Sequence, residues 1–248
     1  MVKQMSFLVL LAIGIGFPQV SLAKPLNVAE MLKKTDDLYR SQASKAKMEM
    51  KIETPNWSRT LVMDAWSQGT EKTFVRILKP RKEKGVATLK RGSEVWNFFP
   101  KINKVIKVPS SMMMGSWMGS DVTNDDLVKE YRYSEDYTFS TKETANHYIV
   151  TLKPKETTVS LWGKIELYLD KSTHLPTEEF YFDEKGKKIR HMIFKDVRES
   201  NGRKIPFVME LIPLTKPGHK TTIRYRSLDL NPDIPESIFS RKNLQKRI

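Results

Sequence analysis

The 248-residue chain contains no cysteine. Disulfide bonds, thiol chemistry and cysteine-based zinc sites are therefore excluded, and the fold must be stabilised by packing. After its first residues the chain also lacks any apolar run long enough to cross a bilayer as a helix. Hydrophobic residues make up 39% of the chain and aromatic residues 10%, which is enough for a substantial core.

Motifs typical of hydrolytic, redox and phosphoryl-transfer enzymes are also missing. The chain has no G-x-S-x-G nucleophile elbow, no G-x-x-x-x-G-K-[ST] phosphate loop and no G-x-G-x-x-G dinucleotide turn. No histidine belongs to an H-E-x-x-H or H-x-H pair, the arrangement that gives a metal two ligands from one element; the four are His147, His174, His191 and His219. We therefore expect a protein that is not an enzyme and uses no metal or cofactor.

An acidic cluster at Asp121, Asn124, Asp125 and Asp126 suggests a calcium site at first sight. Its spacing does not fit an EF-hand loop, which needs D-x-[DN]-x-[DN]-G and a distal glutamate. A helix start explains the cluster better, because Thr123 or Asn124 can cap it. Negative charge in the first turn is then favourable beside the positive end of the helix dipole.

Residues 1–23 have the three parts of a cleavable secretory signal peptide. Lys3 supplies the positive charge, an apolar stretch follows, and Ser21 and Ala23 are the small residues before the cleavage site. The apolar stretch is about half as long as the roughly 20 residues that a spanning helix needs, which favours cleavage over an uncleaved anchor. Residues 24–248 are then predicted to form one exported domain.

The chain is strongly basic, with 43 lysines and arginines against 29 acidic residues and a net charge of +14. Loss of the signal peptide removes only Lys3 from this balance and leaves +13. Nucleic acid, an anionic membrane surface and an acidic protein are the partners that such a charge suits. Export removes nucleic acid from this set and favours transient contact with a membrane surface, while a merely solvated basic surface remains an alternative.

Hydrophobic periodicity changes early in the mature chain. Residues 26–43 carry apolar side chains at mostly helical spacing, with Asn27 as a candidate N-cap. From there the period is 2, which predicts strands with one buried face. Predicted strands lie at 48–52, 61–66, 74–78, 95–99, 105–108, 148–152, 165–169, 180–182, 189–197, 207–212 and 221–230. Glycine-containing turns between them predict an antiparallel meander, and a partly closed sheet would enclose an apolar cavity.

The least ordinary stretch is the loop 109–120, which places methionines and a tryptophan among small residues: Met112, Met113, Met114, Trp117 and Met118. Methionine is flexible and polarizable and suits promiscuous apolar surfaces. One interpretation is a mobile lid that touches an acyl chain, with Gly115 and Gly119 as hinges. The other is that these side chains fill the core of the barrel. Both interpretations stay open at this stage.

A block from Phe74 to Leu127 carries a family resemblance. It contains the W-x-F-x-P strand that ends at Pro100 and the G-S-D-x-[ST]-x-[ED]-D-L pattern that starts at Gly119. These residues resemble the LolA-like outer-membrane lipoprotein-sorting protein family, in particular the branch often encoded beside RND-type or MMPL-like exporters. The resemblance covers the mature chain from Leu26 onwards. It implies a mainly β (α+β) fold of the LolA/LppX-like kind, a half-open antiparallel β-barrel wrapped around a few helices.

The resemblance also implies a function. Classical members of the family shield lipoprotein acyl chains while crossing the periplasm, so this chain is expected to be a periplasmic, non-enzymatic carrier of lipidated or lipophilic cargo. It would exchange an acyl chain with a membrane partner such as an RND- or MMPL-type inner-membrane exporter. The alternative is an RseB-like, lipid-responsive sensor or adaptor of a membrane complex. The residues predicted to face the ligand are Trp96, Phe98, Met112, Met113, Met114, Trp117 and Met118.

Overall fold

The computed structural model describes residues 27–39, 41–127, 132–158 and 160–248. The predicted signal peptide, residues 1–23, lies outside these ranges. The described strands form one antiparallel, curved and unclosed sheet of thirteen strands, which confirms the predicted fold class. The strands are β1 Ala43–Glu53, β2 Ser58–Gln68, β3 Lys72–Lys79, β4 Ala87–Arg91, β5 Glu94–Phe99, β6 Lys104–Lys107, β7 Tyr137–Glu143, β8 His147–Pro154, β9 Lys164–Asp170, β10 Pro176–Phe182, β11 Lys188–Ser200, β12 Arg203–Pro213 and β13 Lys220–Asp229.

Two meanders make up the sheet. Strands β1 to β6 follow one another across one half, β7 to β13 follow one another across the other, and β1 pairs with β13 at the join. Most connections are short hairpin turns, such as Asn201-Gly202 between β11 and β12, where both residues have positive φ angles. Asparagine followed by glycine suits this backbone conformation because both residues tolerate the left-handed region at little cost.

Strands β6 and β7 form opposite edges of the sheet although they are consecutive in the chain. The chain between them must therefore cross from one edge to the other. Residues 108–127, which we call the crossing segment, begin this passage with three short 3₁₀ turns at Ser110–Met112, Trp117–Gly119 and Asp125–Leu127. Helix α2, Tyr133–Asp136, then leads into β7.

Side-chain alternation along each strand defines two faces of the sheet. On β3, Phe74 and Val75 are both buried, yet they belong to different hydrophobic clusters because they point in opposite directions. We call the face that carries Val75 the inner face and the face that carries Phe74 the outer face. Trp117 of the crossing segment packs on the inner face against Leu61, Ile77 and other buried side chains.

Helix α1, Val28–Asp36, covers the inner face at the other half of the sheet. Its Met31 and Leu32 pack against a buried cluster that includes Ile165 and Leu167. The Oδ1 atom of Asn27 accepts a hydrogen bond from the backbone N–H of Glu30 at 3.1 Å, which confirms the predicted N-cap. The helix is shorter than the periodicity over residues 26–43 predicted. It ends at Asp36, and Leu38 packs in a different buried cluster, with Ile205 and Phe207.

The outer face of β3 to β5 is covered by the C-terminal residues, a 3₁₀ turn at Glu236–Phe239 and helix α3, Arg241–Leu244. Phe239 and Leu244 pack there into a buried cluster with side chains of the three strands. Both faces of this part of the sheet are therefore protected from water. In the described ranges, no helix has the length and apolar character that crossing a bilayer would require.

Candidate ligand cavity

The crossing segment is held in place by hydrogen bonds within itself. The backbone N–H of Trp117 donates to the carbonyl of Val122 at 2.7 Å. The side-chain amide of Asn124 donates to the carbonyls of Met112, at 3.2 Å, and Gly115, at 3.1 Å. Asn124 itself is buried, so its amide replaces water as the partner of these two carbonyls.

Trp117 anchors this segment to the inner face. Its side chain is only 5% exposed, and its Nε1 donates to the hydroxyl oxygen of Thr88 on β4 at 3.0 Å. The Thr88 hydroxyl in turn donates to Oδ1 of Asn97 on β5 at 2.7 Å. A buried indole with a satisfied N–H contributes both apolar burial and a directional contact, so Trp117 fixes the position of the segment.

The predicted cap at the acidic cluster is present, at a 3₁₀ turn. The Thr123 hydroxyl accepts from the backbone N–H of Asp126 at 3.1 Å, and Oδ2 of Asp126 accepts from the backbone N–H of Thr123 at 2.8 Å. This reciprocal pair is a capping box. Asp121 lies outside this capping box. Its Oδ2 accepts from the hydroxyl of Thr221 on β13 at 2.8 Å, which joins the crossing segment to the sheet.

Asp126 also forms an ion pair with Arg190 of β11. Nη1 and Nη2 of Arg190 lie 2.9 Å and 3.1 Å from the two carboxylate oxygens, a bidentate geometry. The guanidinium also lies over the ring of Trp162, 4.8 Å from its centroid. Burial alone would lower the pKa of Arg190, but the neighbouring Asp126 carboxylate outweighs burial and raises it.

A cavity of about 470 Å³ lies on the inner face between the crossing segment, the chain after α1 and strands β10 to β13. Its volume falls in the range of about 300–1,000 Å³ that is typical of small-molecule sites. Most of its lining is apolar or aromatic, and Asp125, Asp126 and Arg190 form a polar edge. The other lining residues are Tyr39, Val122, Tyr133, Leu161, Trp162, Tyr181, Met192, Met209, Leu211, Ile223 and Tyr225.

A buried carboxyl group adjoins this cavity. Glu179 of β10 is 4% exposed, and its Oε2 accepts hydrogen bonds from the hydroxyls of Tyr181 and of Tyr133, the latter at 3.3 Å. Burial raises the pKa of Glu179 to about 7, although the two tyrosine hydrogen bonds act in the opposite direction. Burial likewise raises the pKa of both tyrosines well above the ordinary value, so they remain donors.

The methionines of the predicted lid lie in different environments. Met112 and Met114 are 59% and 54% exposed, whereas Met113 is partly buried. Met118 packs beside the cluster around Trp117 and lines a second, mainly apolar cavity of about 340 Å³. None of these four side chains lines the larger cavity. Trp117 does not line it either, and instead plugs the neighbouring core, as one of the two interpretations of the loop predicted.

Trp96 and Phe98 lie on the outer face of β5. They are 5% and 0% exposed and pack against Phe239 and Leu244 of the C-terminal residues. Since the larger cavity is on the inner face, these two aromatic side chains point away from it. The sequence-predicted residues therefore do not come together in one site.

Most of the cavity lining was missed by sequence analysis. The sequence does contain one pattern that fits the lining. Apolar residues stand two positions apart on two strands, Met209 with Leu211 and Ile223 with Tyr225. Alternation shows that each pair shares one face, but it does not show whether that face is packed or open. No pattern in the sequence indicates Arg190 as a lining residue, because its partner Asp126 is 64 residues away in the chain.

The described residues contain no group of three or more histidine, aspartate or glutamate side chains that could hold a metal ion. What the geometry offers is an apolar, aromatic-lined cavity with one charged edge. Such an arrangement can bind a lipophilic group and orient a polar end.

A family model described as an uncharacterized protein matches residues 69–246. Among solved structures, a DUF1329 family protein from Desulfovibrio piger superposes with a TM-score of 0.76 at 19% identity, covering 87% of this chain and 97% of its own. A putative outer membrane lipoprotein-sorting protein domain from Vibrio parahaemolyticus gives 0.73 at 21% identity, covering 88% and 97%. A LolA superfamily protein from Nitrosomonas europaea gives 0.70 at 19% identity, covering 88% and 99%.

At these identities the structural similarity establishes the shared fold and not a shared activity. No curated protein matches the chain in sequence.

Proposed function

The chain belongs to a LolA-like family, and from this premise we propose that it is a periplasmic, non-enzymatic carrier of lipidated or lipophilic cargo. The cavity of about 470 Å³ on the inner face is the observation that carries this proposal. It would shield an acyl chain from water during transfer to or from a membrane partner, for which an exporter of the RND or MMPL type is the candidate.

The energetics of transfer favour such a role. Each methylene group removed from water contributes roughly 0.8 kcal/mol, so several methylene groups suffice to hold a cargo of modest size. The side chains of Met192 and Met209 line the cavity beside rigid aromatic rings. Flexible thioether side chains adapt to chains of different length, which suits a carrier better than a site for one compound.

The charged edge of the cavity supports a defined orientation of the cargo. Arg190 is paired with Asp126 at one side, whereas Leu211 and Ile223 line apolar surface. An amphipathic molecule would therefore place its apolar chain along the strands and its polar end near the ion pair. The similar fold of the Vibrio parahaemolyticus protein, a putative outer membrane lipoprotein-sorting protein domain, supports an acylated cargo.

The test is a binding assay on the mature protein with a fluorescent fatty-acid probe, together with mass spectrometry of lipid extracted from protein purified from its native periplasm. Met209→Trp should fill part of the cavity and reduce probe affinity by about tenfold, which corresponds to a loss of about 1.4 kcal/mol. Met114→Trp is the matched control, because Met114 is 54% exposed and does not line the cavity. Absence of both bound lipophile and probe uptake in the unaltered protein would rule out the carrier function.

A further inference from the structure

Four turns lie together at one end of the sheet. They are residues 54–57 between β1 and β2, 80–86 between β3 and β4, 100–103 between β5 and β6, and 214–219 between β12 and β13. We call them the basic end. Because consecutive antiparallel strands reverse direction, these turns share one end, and the turns at 69–71, 92–93 and 201–202 lie at the opposite end.

Contacts between the turns show that they form a continuous rim. A Cβ at Gly218 would lie 2.9 Å from Cγ of Pro55, and one at Gly85 would lie 3.4 Å from Cγ of Pro100. Trp57 and Lys82 line one small cavity, which joins the turn at 54–57 to the turn at 80–86. The rim is therefore a single surface built from four sequence-distant turns.

The charge on this surface has one sign. The four turns contain five basic residues, Arg81, Lys82, Lys84, Lys101 and Lys216, and all five are exposed. Their one acidic residue, Glu83, is partly buried and paired with Arg59 at 3.1 Å. The three turns at the opposite end contain a single acid, Glu71, and no lysine or arginine. Among these seven turns, the lysines and arginines therefore all lie at one end.

Large apolar side chains stand among these charges. Trp57 is 45% exposed, Ile102 is 60% exposed and Leu214 is 43% exposed, each in a different turn of the rim. Tryptophan is enriched at membrane interfaces because its ring is amphipathic. Exposed apolar side chains at turn tips surrounded by lysines fit a bilayer surface, where the apolar groups insert and the ammonium groups meet lipid phosphates.

We infer that the basic end docks on an anionic phospholipid bilayer. The partner is identified by charge complementarity, because the four turns expose five basic side chains beside three large apolar ones, and none of the five basic side chains forms an ion pair within the described ranges. The second cavity of about 340 Å³ is lined by Lys82, Lys101 and Pro100 of the same turns, and deeper by Leu61 and Ile77 of the inner face. Docking would place the opening of this cavity against the lipid. This last point rests on the proposed carrier function, whereas the docking itself does not.

Vesicle binding tests the inference directly. The mature protein is incubated with vesicles of phosphatidylcholine alone or of two parts phosphatidylcholine to one part phosphatidylglycerol, and bound protein is measured by co-sedimentation. We expect binding to the anionic vesicles that weakens as salt is added. Each lysine near an anionic surface contributes about 1 kcal/mol, which is about fivefold in affinity. Lys82→Gln combined with Lys101→Gln should therefore weaken binding by about 25-fold.

The matched control is Lys142→Gln combined with Lys153→Gln, two exposed lysines on β7 and β8. This variant has the same net charge as the test variant and should bind within about twofold of the unaltered protein. If the test and control double variants weakened vesicle binding equally, the attraction would depend only on the net charge of the protein. That result would overturn the inference. Trp57→Ala should weaken binding without changing its salt dependence. Failure of the folded protein to bind anionic vesicles, with probe uptake intact, would overturn docking while leaving the carrier proposal standing and would point to an acidic protein partner.

Discussion

Replacing Glu179 with glutamine is expected to remove a loss of stability of about 3 kcal/mol that this carboxyl group causes between acidic and neutral pH. Glu179 is buried on the inner face and accepts hydrogen bonds from the hydroxyls of Tyr133 and Tyr181. Burial raises its pKa from 4.5 to about 7, because removal from water disfavours the charged carboxylate. Glutamine has the same shape as the protonated acid and cannot ionise.

The sign of the effect follows from proton binding. Between pH 4.5 and about 7 the native protein keeps a proton on Glu179 that the unfolded chain has released. The free energy of unfolding therefore falls as the pH rises through this window. The contribution of protonated Glu179 to the free energy of unfolding is fully present below pH 4.5 and is lost once the pH exceeds about 7. At about 1.4 kcal/mol per pH unit, the loss amounts to about 3 kcal/mol.

Urea unfolding of the unaltered protein and of Glu179→Gln at about pH 4 and about pH 8 measures this contribution. The variant should match the unaltered protein at the lower pH and be more stable by about 3 kcal/mol at the higher one. Glu184→Gln is the control, because Glu184 is exposed on the turn between β10 and β11. Parallel stability profiles for the unaltered protein and Glu179→Gln would refute the reasoning.

Three further changes test the packing of the fold by urea or thermal unfolding. Trp117→Phe removes the hydrogen bond to Thr88 and leaves a cavity where the larger indole ring packed, and should cost about 2 kcal/mol or more; an unchanged midpoint would argue against both contacts. Gly163→Ala places a Cβ 2.7 Å from the carbonyl oxygen of Asp183, and should cost about 1–3 kcal/mol; full stability would contradict the close approach. Asn27→Ala removes the cap of α1 and should cost about 1 kcal/mol, whereas Asn27→Ser should retain most of it.

Strand prediction succeeded where one face of a strand is buried and the other is wet. On β9, Ile165, Leu167 and Leu169 are fully buried while the residues between them are partly exposed. Alternation of this kind is visible in the sequence because water on one side selects polar residues. The glycine-containing turns were found for an equally local reason, since the left-handed backbone conformation favours glycine and asparagine.

Two strands were missed, for opposite reasons. Strand β4 buries four consecutive residues, because Trp117 covers Thr88 on the inner face while the C-terminal residues cover the outer face. With no wet face there is no alternation to detect. Strand β7 is an edge strand in which every residue except Tyr137 is exposed, including Phe139 at 42%. Because this strand has no buried face, its sequence also shows no alternation of apolar and polar residues.

The candidate site was harder to predict than the sheet. Alternation places Glu178 and Glu179 on opposite faces, and the structure agrees: Glu178 bonds His191, while Glu179 meets the two tyrosines of the inner face. The same rule places Trp96 and Phe98 on one face. It does not say whether that face lines a cavity or meets the C-terminal residues, because the covering residues are more than a hundred positions away.

The sequence by itself determined the class of the fold, the antiparallel meander and the division of each strand into two faces, because these depend on residues close together in the chain. Only the tertiary structure decided which face stays open. The crossing segment fills one part of the inner face with Trp117, and α1 fills another. The cavity remains between them. What covers a sheet depends on contacts between distant residues, such as Asp126 with Arg190, which leave no periodic signal in the sequence.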